Sequence, residues 1–174
     1  MPKTLAVLIL QFSAAVSAQT SPAAKWKEYV YPDNGFAITL PSDPHPHKSS
    51  QMPNGTAYSV QLPTGTGLSL HTMQVAGDCN NALDKQAELY AEHKNGAAPA
   101  ESSGFKVSSF RRVKGDGYDA VELIQQVPDG KMDYERWVCA PHRLYVFVSE
   151  WSPSDRQPPD IMRIVDSFRL LTVK

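Results

Sequence analysis

Apolar positions alternate with polar ones through most of this chain, and the first clear instance spans residues 26–41. Phe36, Ile38 and Leu40 alternate with Ala37 and Thr39 behind Pro32-Asp33-Asn34-Gly35. Proline pre-sets the first corner of a turn, and Asn and Gly tolerate the left-handed backbone that closes it. Aromatic and β-branched residues on either side make this a β-hairpin with one face ready to seed a core. Beyond it, residues 45–52 predict a weak edge strand, because prolines and polar side chains interrupt them. Residues 56–62 and 68–75 alternate as strands. The period then lengthens: Leu83, Ala87, Tyr90 and Ala91 form one helical stripe over residues 81–94. Asp78 or Asn80 can cap its start, Asn95-Gly96 is a left-handed stop, and residues 96–104 form a small-residue loop.

From residue 105 the pattern predicts a four-strand meander over 105–113, 118–127, 131–139 and 144–151, with Gly, Pro and Asp at its turns. The last of these, L-Y-V-F-V-S-E-W, is apolar on both faces and is expected to be central and covered on both sides. Asp133 and Glu135 alternate with Met132, Tyr134 and Arg136, a pattern expected of a half-solvated strand. Prolines at 158 and 159 suit a helix start, and Ile161, Ile164, Val165 and Phe168 form a second helical stripe. The expected fold is α+β in one domain: an antiparallel sheet of about six to eight strands with two main helices packed on it. The opening hairpin is expected to join the meander in the middle of that sheet.

The start of the chain changes the reading of its destination. Lys3 supplies a basic tip, residues 5–16 are mostly apolar, and Val16-Ser17-Ala18 places small residues where signal peptidase cuts. Residues 1–18 therefore read as a signal peptide, 19–25 as a flexible N-terminus and 26–174 as the folded domain. The apolar run is shorter than the roughly 20 residues a membrane span requires. The expectation is an exported chain, periplasmic or secreted, with no membrane insertion in its mature form. Its formal net charge of −1 becomes −2 when Lys3 leaves with the leader. That balance excludes a nucleic-acid partner of the kind that needs a strongly basic face.

The Y-P-D-N-G-F-A-I-T-L-P hairpin, the mid-chain helix, the meander and the closing I-V-D-S-F-R-L helix together resemble the PsbP-like α/β sandwich superfamily. The likeness is closest to uncharacterised exported bacterial members, which open on a G-F-x-[IV]-x-[LF]-P strand and close on a D-S-F helix. It covers residues 26–172 and implies a fold; it carries over no catalytic residue, because a fold does not fix a function.

Candidate chemistry is sparse. Cys79 and Cys139 are the only cysteines, and an even pair in an exported chain predicts a disulfide. The alternative makes Cys79, at a helix N-terminus with His71 and His93 nearby in sequence, the nucleophile of a small hydrolase or thiol enzyme. His45 and His47 share one face of an extended segment, the beginnings of a metal-handling module with no third ligand in view. Lys106, Arg111, Arg112 and Lys114 form a basic run on one hairpin, either a partner surface or a charged sheet edge that prevents unwanted pairing. Tyr134, Trp137 and Trp151 are strand aromatics that would line an apolar groove if one face of the sheet were left uncovered. Hydrolase, metalloprotease, P-loop and dinucleotide motifs are absent from the sequence, and no cofactor is implied. The leading function is non-catalytic: binding of an unknown envelope protein or a small apolar ligand.

Overall fold

The computed structural model describes residues 24–50, 52–77, 79–94 and 104–171, with only the backbone given at 93 and 94. The expected signal peptide, most of the expected N-terminal arm, the expected cap at Asp78, the His93 side chain, the expected Asn95-Gly96 stop and nearly all of the loop after it lie outside those residues.

Among the described residues ten strands and two helices follow one another in a simple order. The opening hairpin is β1 (Lys27–Tyr31) and β2 (Phe36–Leu40), closed by a short 3₁₀ turn with Gly35 at φ +69°. Then come β3 (His45–Lys48), β4 (Thr56–Gln61), β5 (Gly67–Gln74) and helix α1 (Asn80–Lys94). The meander is β6 (Lys106–Gly115), β7 (Tyr118–Gln126), β8 (Met132–Ala140) and β9 (Arg143–Trp151). Helix α2 (Pro159–Asp166), with proline at its first position, leads into the short β10 (Arg169–Leu170).

Two antiparallel sheets result. The larger has seven strands in the order β3-β4-β5-β9-β8-β7-β6, and the smaller has three in the order β1-β2-β10. This corrects the expectation that the hairpin enters the meander's sheet. One edge of β2 is taken by β1 and the other by β10, with Arg169 opposite Ala37. No edge of β2 remains for the meander. The hairpin instead lies across the large sheet and is fastened to it by its turn. Tyr145 Oη donates to the Asn34 carbonyl at 2.8 Å, Arg143 donates to Asn34 Oδ1 at 2.7 Å, and Asn34 Nδ2 donates to Tyr58 Oη at 2.5 Å.

The main core fills the space between this small sheet with α2 and the inner face of the large sheet. Phe36, Ile38 and Leu40 meet Tyr145, Phe147, Leu68, Leu70 and the α2 stripe Ile161, Ile164 and Val165. Phe168 sits at the centre, with ring contacts to Phe36, Tyr118, Tyr145 and Phe147 at 5.1–5.8 Å. Such pairs each add about 0.5–1.5 kcal/mol beyond the area they bury. Helix α1 covers the outer face of the opposite end of the large sheet, over β6, β7 and β8. Leu83, Ala87 and Tyr90 are buried there against Val121, Leu123 and Cys139, whereas Ala91 is exposed. Cys79 and Cys139 are joined by a disulfide with their Cα atoms 5.5 Å apart. The bond ties the first turn of α1 to β8. Among the described residues no helix is long and apolar enough to cross a membrane.

Candidate functional site: an apolar groove on the outer face

Because β9 lies beside both β5 and β8, the register decides which side chains share a face. Leu144, Val146 and Val148 of β9 point outward, together with Met73 of β5 and Trp137 of β8. Helix α1 stops short of this patch. From the other side, the turn after β3 folds Met52 and Pro53 over its rim. The gap between helix and turn is a groove of about 390 Å³, and seven of its eight lining residues are apolar. That volume suits a small organic ligand.

The turn carrying Met52 is held in place by named contacts. Ser49 Oγ accepts from the Met52 amide at 2.9 Å and is bonded to His71 Nδ1 at 2.9 Å. Gly55 donates to the Met52 carbonyl at 3.0 Å, and a Cβ at Gly55 would come within 2.9 Å of the Met52 Cβ. Only glycine lets the turn close this tightly. Burial first, and the nearby His47 second, hold the His71 pKa below its ordinary value. His71 therefore serves as a neutral hydrogen-bonding strut under the groove wall.

One lining residue is ionisable. Glu135 Oε2 accepts from Tyr90 Oη of α1 and from Trp137 Nε1, both at 2.7 Å. Two residues earlier on the same face, Asp133 is 4% exposed and is hydrogen-bonded to Glu135. Its Oδ2 accepts from Gln125 Nε2 at 3.2 Å. Burial, followed by the charge of Glu135, pushes the Asp133 pKa up to about 7. The half-solvated strand expected at residues 131–139 is thus corrected: α1 covers much of the outer face of β8, and its outward acids are partly or wholly buried.

The inward face of β8 carries a different arrangement. Arg136, 3% exposed, donates to Glu122 Oε2 through Nε at 2.9 Å and through its terminal nitrogen at 2.5 Å. Tyr134 Oη donates to the same oxygen at 2.9 Å, and Arg111 Nε to Glu122 Oε1 at 2.6 Å. Asp166 of α2 lies 3.5 Å from Arg136. Burial pushes the Glu122 carboxyl up, but the bonds from Arg111, Arg136 and Tyr134 outweigh it and hold the group below its usual range.

The other residues singled out from the sequence are scattered. Tyr134 is fully buried and Trp151 is 7% exposed, so both belong to the main core instead of a binding surface; Trp137 alone of the three aromatics lines the groove. The basic run lies on the edge strand β6, where alternation sends it to opposite faces. Arg111 pairs inward with Glu122, while Arg112 pairs with Asp84 at 2.5 Å and Lys114 with Asp119 at 3.8 Å. Lys106 is exposed at the start of the strand. His45 and His47 lie on the opposite edge strand, where the His47 ring meets the His45 carbonyl at 3.1 Å. His71 falls in line with His47 across Ala57, a neighbour that sequence distance concealed. Among the described residues no group of three His, Cys, Asp or Glu side chains is arranged to hold a metal.

A larger recess of about 730 Å³ opens at the end of the sheets, where Asp33, Asp116, His142 and Arg143 gather. Its Arg143 is already committed to Asn34 and to the Asp33 carbonyl, and its walls are turns rather than a continuous apolar surface. Sequence reasoning missed Glu135 and Asp133 as site residues. The signal was available in the neighbouring strand: a partner apolar on both faces implies that β8 too has cover on both, at least in part.

Small sheet and α2, seven-stranded sheet, and α1 define a PsbP-like α+β fold. No family model and no curated protein matches the sequence. Among solved structures, the chain is similar to the solution structure of cyanobacterial PsbP (CyanoP) from Synechocystis sp. PCC 6803. The TM-score is 0.59 at 12% identity, over 87% of this chain and 95% of that one. A crystal structure from Bacteroides thetaiotaomicron VPI-5482 is more distant, with TM-score 0.44 at 11% identity over 83% of this chain and 48% of its own.

Proposed function

We propose that this chain is an exported, non-catalytic binding module that receives a small apolar molecule in the groove beside Trp137. The observation that carries the reading is the groove itself: an apolar recess of about 390 Å³ on the outer sheet face, beside the part that α1 covers. Export and a signal peptide over residues 1–18, followed by a short arm and a folded domain from residue 26, are part of the proposal. The disulfide supports it, because such bonds persist in oxidising compartments. The same bond removes the thiol that a Cys79 nucleophile would need. A protein partner that adds a strand to the large sheet is the weaker reading. One edge carries Pro46 and Lys48 and the other the β6 charges, both of which discourage pairing.

The test is a titration of purified mature protein with N-phenyl-1-naphthylamine, an uncharged apolar dye, followed by dye fluorescence and by quenching of Trp137. Saturable binding of one dye per chain is expected, with Trp137→Ala weakening it about tenfold through lost aromatic contact. Binding that never saturates, or that is indifferent to Trp137→Ala, would overturn the reading.

A further inference from the structure

We propose that the groove's ligand is an amphipathic cation, a hydrocarbon body ending in an amine, with the ammonium seated against Glu135. This rests on the groove reading above and adds the chemistry of the head group.

Three observations converge on it. First, Glu135 is the ionisable residue in an otherwise apolar lining, so a hydrocarbon lying along Val146 and Val148 ends beside a carboxylate. Second, charge is unbalanced beside the groove, where the acids are partly or wholly withdrawn from water. Glu122, Asp84, Asp119, Asp129, Glu150, Asp166 and Glu28 each face an Arg or Lys in an ion pair. Among the described residues neither Asp133 nor Glu135 has such a partner. The donors that reach Glu135, Tyr90 Oη and Trp137 Nε1, are both neutral. Third, Asp133, 4% exposed two residues along the same face, is hydrogen-bonded to Gln125 and to Glu135, so two acids lie together with no cation between them. Two neighbouring acids with no cation between them repel in a low-dielectric wall, and a bound positive charge relieves that repulsion.

An ammonium supplies what the site lacks. It offers several N–H donors and one positive charge, while the apolar walls exclude the water that would compete. A neutral alcohol would satisfy the shape and leave the charge unmet. A fatty carboxylate would place like charges together in a low-dielectric wall. The head-group order amine, alcohol, carboxylate therefore follows from the lining.

The experiment displaces the bound naphthylamine dye with decylamine, decanol and decanoate at pH 8, each below its micelle-forming concentration. In the wild-type protein decylamine is expected to displace the dye about tenfold more effectively than decanol, with decanoate weakest. Glu135→Gln keeps an acceptor for Tyr90 and Trp137 but removes the charge, and should bring the amine-to-alcohol ratio to about one. A flat or reversed wild-type ranking with the dye still bound overturns the cation and leaves the groove reading standing. Failure of the dye and of all three decyl compounds to bind removes both. A ratio that stays near tenfold in Glu135→Gln overturns the assignment to that carboxylate, and the wild-type ranking decides the question if that variant does not fold.

Discussion

On the inner face of β8, Arg136 and Tyr134 close on a single carboxylate, and every charge there has an opposite within bonding distance. On the outer face of the same strand, Asp133 and Glu135 lean on neutral donors and on each other, with no cation between them. The strand is one, its alternation is regular, and both faces are at least partly covered; what sets them apart is the completeness of the electrostatics. The difference teaches where to look for function. The polar cluster at Glu122 is complete, so an incomplete one beside a recess points to a place where something else completes it.

The largest expected effect breaks the finished side. Arg136→Met replaces the guanidinium with an apolar chain of similar length and leaves Glu122 buried with Arg111 as its remaining cation. Removing one partner of a buried pair costs about 3–5 kcal/mol, because the surviving charge stays desolvated. Urea unfolding followed by tryptophan fluorescence measures it. A loss below about 1 kcal/mol would mean that water already reaches Glu122, and the contrast between the faces would collapse.

Next in size is the bond that anchors the cover of the outer face. Cys79 and Cys139 close a loop of 60 residues, for which the chain-entropy model gives about 4 kcal/mol and measured cases commonly less. In the Cys79→Ala/Cys139→Ala variant the global loss is expected to be about 2–4 kcal/mol. Its local signature matters more. Amide exchange should rise first in α1, whose first turn hangs on the Cys79 carbonyl through the amides of Ala82 and Leu83, and least in β2 and β9. Uniform acceleration across both sheets would show that α1 is not a separable cover.

How much of this was legible beforehand differs by element. The hairpin at 26–41, the meander and both helices could be read because each buries a repeating stripe, and a stripe is local information. The disulfide could be read from an even number of cysteines and an expected compartment alone. The partner of β2 could not be, since β10 is only Arg169–Leu170, too short for any period to reveal. The acids of β8 were misjudged for a related reason. Charge predicts exposure only where no distant element covers the strand, and α1 reaches Glu135 from 45 positions away through Tyr90. Tyr134 and Trp151 were read as surface candidates because an aromatic in a strand looks the same on either face. Register, which no single residue carries, sent them inward and left Trp137 outward.

The smallest effect tests the unfinished side directly, and its sign is opposite to the others. Asp133 has a carboxyl held at about 7 in the folded chain against an ordinary 3.8. Between those values the folded state binds more protons than the unfolded one, so stability falls as pH rises through about 4 to 7 and then levels. Three units correspond to a ceiling of about 4 kcal/mol, and relaxation and water entry around the buried carboxyl leave about 2 kcal/mol for this residue. Asp133→Asn fixes the neutral state and retains both a donor and an acceptor. It should be more stable than wild type by about 2 kcal/mol at pH 8 and equal to it near pH 4. Glu122 works the other way, since its lowered carboxyl makes acid destabilising, but it is common to both proteins and cancels in the difference. A variant that is less stable than wild type at pH 8 would show the Asp133 charge to be already compensated, and with it the reason for expecting a cation in the groove would go.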